Sequence, residues 1–180
     1  MENKEKSSLK EFLIIATVSI IAVFIVRTFI AQPFVVSGES MEPTFYTGDY
    51  LIVDQLSYSL KNPERGDVIV FKYPLLPSRF FIKRIIGLPG ETIKIEGENI
   101  YIKEVGSDEF KLIDEKYIEH KQNDFREQSL ENDEYFVMGD NRTASLDSRE
   151  WGPLKENYIK GKALFRLYPL NKIEFLPGKK

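Results

Sequence analysis

The sequence predicts a mainly β protein, with an N-terminal transmembrane helix followed by an antiparallel β-sandwich or barrel-like domain. Residues 12–26 form an uncharged apolar run close to the N-terminus. After Pro33 the pattern changes to short β-branched and aromatic runs separated by Gly and Pro, which is typical of sandwiches and barrels. We therefore divide the chain into an N-terminal segment (1–11), an anchor (12–31) and a β domain (32–180).

The apolar run has the length of a membrane span. Continued past Arg27 to Ala31, it reaches the roughly 20 residues that a spanning helix needs. Arg27 lies near the far end, where a long side chain can reach the headgroups. Cleavage after Ala31 would put Phe29 where a signal peptide needs a small residue, and a buried soluble helix seldom lacks charges over such a run. These observations favour an uncleaved signal anchor.

The charges around the run predict its orientation. Lys4, Lys6 and Lys10 precede it, and a positively charged flank stays in the cytoplasm. Arg27 on the far side weakens this bias, but a large domain is carried across largely regardless of its charges. We expect a single-pass protein of the cell membrane, with a cytoplasmic N-terminus and an extracytoplasmic β domain.

The β domain is predicted from runs of Val, Ile, Phe and Tyr. The predicted strands cover residues 34–36, 50–53, 68–71, 80–82, 85–86, 92–95, 100–102, 135–138 and 163–168. The runs at 92–95 and 100–102 flank Gly97 and predict a hairpin. Between Glu104 and Glu134 there are 11 acidic residues against four basic ones. We interpret residues 104–134 as a solvated acidic excursion, with a strand around 111–118.

Composition excludes several classes of function. The net charge of −3 lacks the basic footprint of a nucleic-acid-binding protein, so no nucleic acid partner is expected. The absence of cysteine removes disulfides, thiolate nucleophiles and thiolate zinc sites. The one histidine, His120, lies in a polar run that is typical of the solvated surface, and a multi-histidine metal site is impossible. We expect neither a metal nor a cofactor.

Ser40 is a candidate nucleophile. It lies in a turn-like segment soon after the apolar run, where Gly38 permits a tight turn and Pro43 stiffens the exit. In most loops of this composition a serine is simply solvated. A serine nucleophile also needs a base, because its hydroxyl is barely acidic at neutral pH.

Lys83 is the candidate base because it lies within the apolar run FFIKRII, residues 80–86. A lysine can act as a base when desolvation lowers its pKa from about 10.4 toward about 8. Strand alternation puts Phe81, Lys83 and Ile85 on one face. The alternative is an edge-strand lysine that prevents aggregation.

A third polar segment, GDNRTASLDSR, covers residues 139–149 directly after a predicted strand. Within it Asp147 and Arg149 could pair, and Ser145 could orient a lysine amine. By itself the segment could also be an Asx-turn loop with surface ion pairs, or a loose cation site.

Together these segments resemble those of the type I signal peptidases, the membrane-anchored Ser/Lys proteases that remove signal peptides from exported preproteins. The resemblance runs from the anchor to about Gly152. Four segments match in the family's order: SMEPT (40–44), RGDVIVF (65–71), FIKRIIGLPGE (81–91) and GDNRTASLDSR (139–149).

The resemblance implies that Ser40 is the nucleophile and Lys83 the general base. Ser145 would hold the lysine amine, and Asp147 with Arg149 would form a structural pair beside the site. Two further residues would support the site from a greater distance, Asp140 and Arg142. The family's oxyanion hole uses the backbone amide of the nucleophile.

One position departs from part of the family. Some members add a serine hydroxyl to the oxyanion hole two positions before the nucleophile, where this chain has Gly38. Ser37 lies one place further back and is not assumed to substitute. An oxyanion donor can be worth roughly 3 kcal/mol of barrier, so the second donor is an open question.

The resemblance also implies the substrate. Signal peptides of exported preproteins would be cut after small side chains at the −1 and −3 sites, in shallow pockets lined by Val36, Met41, Phe45 and Ile82. An extended substrate could add a strand beside residues 34–36. We expect a monomer, without cofactor, that acts at the lipid bilayer. Some apolar side chains either rest on the bilayer or belong to the core: Phe34, Phe45, Tyr46, Leu75 and Leu76.

Three alternatives remain open. A Ser/Lys autoprotease of the SOS-repressor type would need a DNA-binding domain where this chain has an anchor. A relative of the endoplasmic-reticulum signal peptidases would carry histidine where Lys83 stands. A membrane-anchored binding module would need no catalytic residues, and the joint presence of Ser40, Lys83 and Ser145 speaks against it.

Overall fold

The computed structural model describes residues 2–25 and 31–178 of the chain. Helix α1 spans Glu2–Ile25. Strand β1 begins at Ala31, the last residue of the predicted anchor. The anchor residues between them, 26–30, lie outside the described residues. Among the helices that are described, none combines the length and the apolar character needed to cross a membrane.

The domain after α1 consists of short strands with little helix. The described strands are β1 (Ala31–Val35), β2 (Tyr50–Asp54), β3 (Val68–Lys72), β4 (Phe80–Gly87), β5 (Thr92–Gly97), β6 (Asn99–Lys103), β7 (Lys111–Leu112), β8 (Asp124–Ser129), β9 (Glu134–Met138), β10 (Leu154–Lys155), β11 (Ile159–Tyr168) and β12 (Glu174–Phe175). Helices α2 (Ser57–Leu60) and α3 (Ser148–Trp151) have one turn each. Single 3-10 turns cover Arg142–Ala144, Glu156–Tyr158 and Leu170–Lys172.

The described strands form two antiparallel sheets. The larger has the order β1-β2-β11-β3-β4-β9-β10, with β12 paired to β11, and the smaller has the order β7-β6-β5-β8. Every strand pair within the described ranges is antiparallel. The prediction of a mainly β, antiparallel protein is confirmed, as is the hairpin of β5 and β6.

Apolar side chains of both sheets pack together in a shared core cluster. In β5 and β6 every second side chain is buried, which is the period of a strand with one face on a core. One core cluster unites these side chains with those of β4 and β9: Ile86, Ile93, Ile95, Ile100, Ile102, Leu130, Phe136 and Met138. The smaller sheet therefore packs against the part of the larger sheet that carries the end of β4.

The acidic excursion differs from its prediction. The strand predicted at 111–118 is only the two-residue β7, and β8 was not predicted although it pairs with β5 along its whole length. The reason is that β8 is polar and largely exposed on both faces, so it lacks the alternation that marks a half-buried strand. Backbone pairing with β5, which is invisible in the sequence, holds it in place.

Candidate active site

Ser40 lies in the connection between β1 and β2, in a turn held by several hydrogen bonds. Gly38 has a φ of +98°, in the region that favours glycine. Its amide donates to Thr47 Oγ1 at 2.9 Å, and the same hydroxyl donates to the Gly38 carbonyl at 3.1 Å. The Ser40 carbonyl accepts from the Asn141 amide at 3.0 Å. The turn is thus fixed both within itself and to the segment after β9.

Lys83 lies in the middle of β4 and its side chain reaches Ser40. Only 4% of the residue is exposed, so the alternative of a solvated edge-strand lysine is wrong. Its Nζ donates to Ser40 Oγ at 2.7 Å and to the Ile82 carbonyl at 2.9 Å. The amine also lies 5.3 Å from the centre of the Phe81 ring, which agrees with the predicted shared face.

Burial lowers the pKa of Lys83 to about 8. The charges of Asp147 and Asp140 oppose this shift, and the charge of Arg149 adds to it. A lysine with such a pKa is neutral for roughly one molecule in ten at neutral pH, and mostly neutral above about pH 8. A neutral amine has a lone pair, so Lys83 can accept a proton from a hydroxyl at hydrogen-bond distance.

Gly139, directly after β9, brings the third segment against the serine turn. A Cβ at this position would lie 2.4 Å from the Ser40 carbonyl oxygen and 2.3 Å from Ser145 Oγ. Neither distance is compatible with a side chain, so glycine permits this close approach. Segments that are remote in sequence therefore meet at Ser40.

Ser145 does not make the predicted contact with the lysine amine. Its Oγ is buried and has no partner of hydrogen-bond geometry among the described residues. The hydroxyl is nevertheless near enough to Asp147 to help lower the pKa of that carboxyl. The hydrogen bonds of the Lys83 amine go to Ser40 Oγ and to the Ile82 carbonyl instead. A role for Ser145 stays a prediction.

Asp147 and Arg149 form the expected pair, and it is buried. Arg149 Nε donates to Oδ1 at 2.9 Å and Nη2 donates to Oδ2 at 2.8 Å, a two-pronged contact. Oδ2 also accepts from the Gly139 amide at 3.0 Å, so the carboxylate holds the close approach described above. Burial alone would raise the pKa of Asp147, but Arg149, the Gly139 amide and Ser145 together outweigh burial, and the pKa is lowered.

Asp140 is bound to a residue that sequence reasoning missed, Arg84. The guanidinium is 1% exposed; its Nε donates to Oδ1 at 2.8 Å and its Nη2 to Oδ2 at 2.5 Å. Thr44 in the serine turn donates to the same carboxylate. The available signal was that Arg84 lies in the same apolar run as Lys83, on the opposite face by alternation. Its partner is 56 residues away, so the pattern does not reveal it.

Arg142 is bound by the acidic excursion. Its Nη1 donates to Glu115 Oε2 at 2.9 Å, its Nη2 donates to Oε1, and its Nε donates to the Gly139 carbonyl at 3.0 Å. Both side chains of the ion pair are buried. His120 lies in the same excursion and is exposed, as predicted.

A cleft of about 500 Å³ opens in front of Ser40 and Lys83. Its walls include residues 34–40 on one side and 79–83 on the other, and Val36 and Ile82 are among them. The prediction that Met41 and Phe45 line it is wrong. Both are 0% exposed, because the turn directs them inward to a core cluster. For the same reason Phe45 is not available to a bilayer.

Both walls of the cleft present an unpaired strand edge within the described part of the chain. Strand β1 pairs with β2 alone, so its outer edge is free. Residues 80–83 of β4 pair with β3 on one side, and the pairing with β9 begins only at Arg84. Unpaired edges of this kind can accept an added strand.

Comparisons with known proteins assign the chain to a family. The family model described as "Signal peptidase, peptidase S26" matches residues 9–168. The chain belongs to this family. It is 35% identical over 179 residues to signal peptidase I of Leptolyngbya laminosa, which covers 94% of this chain and 85% of that protein. It is 33% identical over 178 residues to signal peptidase I P of Bacillus subtilis subsp. natto, with 96% of each chain covered.

A solved structure is also similar. The crystal structure of a signal peptidase I from Enterococcus faecalis V583 shares 29% identity, covers 57% of this chain and 97% of that chain, and has a TM-score of 0.46. The resemblance stated from the sequence motifs is confirmed by the family and its relatives, and with it the prediction that the chain is a signal peptidase, a serine peptidase hydrolase.

Proposed function

We propose that the chain is a membrane-bound endopeptidase that removes signal peptides from exported preproteins after small-x-small sites, with Ser40 as nucleophile and Lys83 as general base. The observation that carries this proposal is the 2.7 Å contact between Lys83 Nζ and Ser40 Oγ. The lowered pKa of Lys83, about 8, adds support because a base must be neutral to act. Membership in the signal peptidase family supplies the substrate class.

The reaction proceeds in two steps. Neutral Lys83 accepts the proton of Ser40 as Oγ attacks the scissile carbonyl carbon. The carbon–nitrogen bond then breaks, the lysinium protonates the leaving amine, and the signal peptide remains as an ester on Ser40. Lys83 next deprotonates a water molecule that attacks the ester, and the proton returns to Ser40 as the carboxylate product leaves.

The Ser40 amide is the proposed oxyanion donor. It donates no hydrogen bond in the part of the chain that the structure describes, so it is free to meet the negative oxygen of the intermediate. Gly38 has no hydroxyl, and its amide is already bonded to Thr47. These contacts do not favour Gly38 as the second donor.

The substrate would bind as an extended strand in the cleft. The free edges of β1 and of residues 80–83 can both pair with its backbone. Val36 and Ile82 would contact the side chains that precede the scissile bond, and both pack on the core cluster that contains Met41 and Phe45. The fully buried Met41 and Phe45 would support Val36 and Ile82 from within this core cluster.

The membrane attachment is proposed from the anchor and from the connection between β3 and β4. Residues 12–26 are uncharged, and the described apolar side chains of this part of α1 are mostly exposed. The connection between β3 and β4, here called the rim, leads into the cleft wall formed by residues 79–83, and its Leu75 and Leu76 are 71% and 44% exposed. We propose a single-pass, monomeric protein with a cytoplasmic N-terminus, whose cleft lies near the outer leaflet.

The test is preprotein processing by the full-length chain in detergent. Ser40→Ala and Lys83→Ala should each abolish cleavage at a small-x-small site. Matched controls are Ser129→Ala and Lys111→Ala, which change the same residue types on the smaller sheet. Undiminished cleavage in either site variant would exclude the catalytic pair. A correctly folded wild type that binds the preprotein without cutting it would favour the binding module.

A further inference from the structure

The last described residues, 176–178, fold back into the domain as a buried hook. The Leu176 amide donates to the Leu164 carbonyl at 2.7 Å, and Pro177 and Gly178 are buried. Leu176 has a φ of +49°, which a leucine adopts only when its surroundings impose it. The hook lies beyond residues 9–168, which match the family model.

The hook ends on the guanidinium of Arg84. The Gly178 carbonyl accepts from Arg84 Nη1 at 2.5 Å, and the same nitrogen donates to the Gly66 carbonyl at 2.9 Å. Gly178 has a φ of +80°. A Cβ there would lie 2.8 Å from Thr44 Cγ2 and 3.2 Å from Arg84 Nη2, so a side chain at this position must displace its neighbours.

Arg84 connects the hook to both members of the proposed catalytic pair. It follows Lys83 directly in β4, and its other nitrogens hold both oxygens of Asp140. Asp140 also accepts from Thr44 in the serine turn. The next residue, Asn141, donates its amide to the Ser40 carbonyl. The guanidinium thus lies where the lysine strand, the serine turn and the third segment meet.

We propose that the hook of residues 176–178 is a positioning element for catalysis, and that the Gly178 carbonyl holds Arg84 in the orientation that aligns Ser40 with Lys83. This inference rests on the proposed Ser40/Lys83 mechanism. Without the Gly178 acceptor, a buried N–H of a charged group is left unpaired, and Arg84 must move to find another partner. Asp140 and the serine turn move with it. Misplacing reacting groups by about 1 Å can cost on the order of 100-fold in rate.

The hook also affects the electrostatics of the lysine. The charges of Asp140 and Asp147 both raise the pKa of Lys83, whereas the charge of Arg149 lowers it. If Arg84 turns away, the charge of Asp140 is less neutralised and stabilises the ammonium of Lys83 more strongly. The rate of a variant with a displaced hook should therefore rise at a higher pH than the rate of the wild type.

The experiment compares Gly178→Ala with Gly106→Ala in the full-length chain. Gly106 has a matching φ of +78°, but a Cβ there meets nothing within 4 Å, so this variant carries the same backbone penalty without the collision. Folded fractions are measured by thermal unfolding through the fluorescence of Trp151, the one tryptophan of the chain. Rates are then expressed per folded molecule over a range of pH.

We expect Gly178→Ala to lower kcat about tenfold, with KM within about twofold and the pH profile moved to higher pH. Gly106→Ala should match the wild type in kcat, in KM and in the pH profile. Equal kcat and pH profile in the two variants, or a loss that the unfolded fraction accounts for, would overturn the positioning role. If Gly178→Ala does not fold, deletion of residues 176–180 replaces it, and a wild-type kcat in that variant overturns the proposal.

The Ser40→Ala variant distinguishes a failure of the hook from a failure of the proposed mechanism. Activity that persists in Ser40→Ala would overturn the catalytic pair and the hook together. An inactive Ser40→Ala beside an unaffected Gly178→Ala overturns the hook alone.

Discussion

The pKa of Lys83 is lowered because its amine is buried in an apolar strand, next to the hydroxyl of Ser40. Taking an ammonium group out of water favours the neutral form, and the two nearby carboxylates limit the shift. The result is a pKa of about 8, within the range near neutral pH in which a general base is most effective. In the proposed mechanism the lysine both accepts and returns a proton, and a pKa in this range suits both steps.

The pH dependence of cleavage follows from this pKa. Because the base is active only when neutral, the rate should increase about tenfold per pH unit at low pH and level off above about pH 8. The measurement is kcat/KM for preprotein cleavage between about pH 6 and pH 10, with folding checked at each pH. A rate independent of pH below about pH 8 would contradict a lysine base.

At the scale of the structural elements, the turn after β9 brings the third segment against the turn that contains Ser40. Gly139 allows the third segment to pass within contact distance of the Ser40 carbonyl, and Asp147 binds its amide. The excursion contributes Glu115 to the same turn through Arg142. The turn is therefore held from both sides by buried ion pairs.

Gly139→Ala should separate activity from stability at this turn. The new methyl group collides with the Ser40 carbonyl, so we expect kcat per folded molecule to fall by about 100-fold, as for reacting groups misplaced by about 1 Å. Gly161→Ala in β11 is the control, because its Cβ would lie 2.1 Å from the Asp54 carbonyl, away from the cleft. It should lower the melting temperature and leave kcat per folded molecule unchanged. Equal effects on kcat would show that the turn has no special role.

Glu115→Ala tests the contribution of the excursion to stability. It leaves the buried guanidinium of Arg142 without its carboxylate, so the free energy of unfolding should fall by about 3 kcal/mol. The neighbouring Asp114→Ala removes a solvent-exposed ion pair with Lys116 and should have no measurable effect. Urea unfolding of both variants is the measurement. A Glu115 variant as stable as its control would mean that water replaces the lost partner.

At the scale of the whole molecule, the cleft lies on the larger sheet, and the exposed Leu75 and Leu76 belong to a connection of the same sheet. The rim residues Leu75 and Leu76 belong to the connection between β3 and β4, whose second strand carries Lys83. A signal peptide emerges from a bilayer, so a rim that rests on the membrane would bring the cleft to the scissile bond. The smaller sheet also exposes apolar side chains, but it does not line the cleft.

Replacing Leu75 and Leu76 together by Ser should lower turnover of a membrane-embedded preprotein severalfold, because binding to the bilayer scales with the apolar area buried in it. Cleavage of a short soluble peptide should be unchanged. The matched control replaces Val105 and Phe125, which are 73% and 79% exposed in the region of the smaller sheet, by Ser. If turnover in vesicles is the same for both double variants, the rim has no docking role.

The sequence by itself determined the features that depend on local pattern. Runs of β-branched and aromatic residues, separated by turn residues, predicted most strands of the larger sheet. The apolar setting of Lys83 indicated a desolvated amine before any contact was known. The matching segments, in their order, indicated the family. These signals are readable because each is contained within a few neighbouring residues.

Only the tertiary structure decided which groups meet. It put Ser40 Oγ 2.7 Å from Lys83 Nζ, paired Arg84 with Asp140 across 56 residues, and directed Met41 and Phe45 into the core instead of the cleft. It also added β8 to the smaller sheet. The physical reason is that a buried charge or an unpaired strand edge requires a partner, but its own sequence does not specify which one. That choice depends on how the sheets pack and on the close approach of remote segments, which local periodicity does not encode.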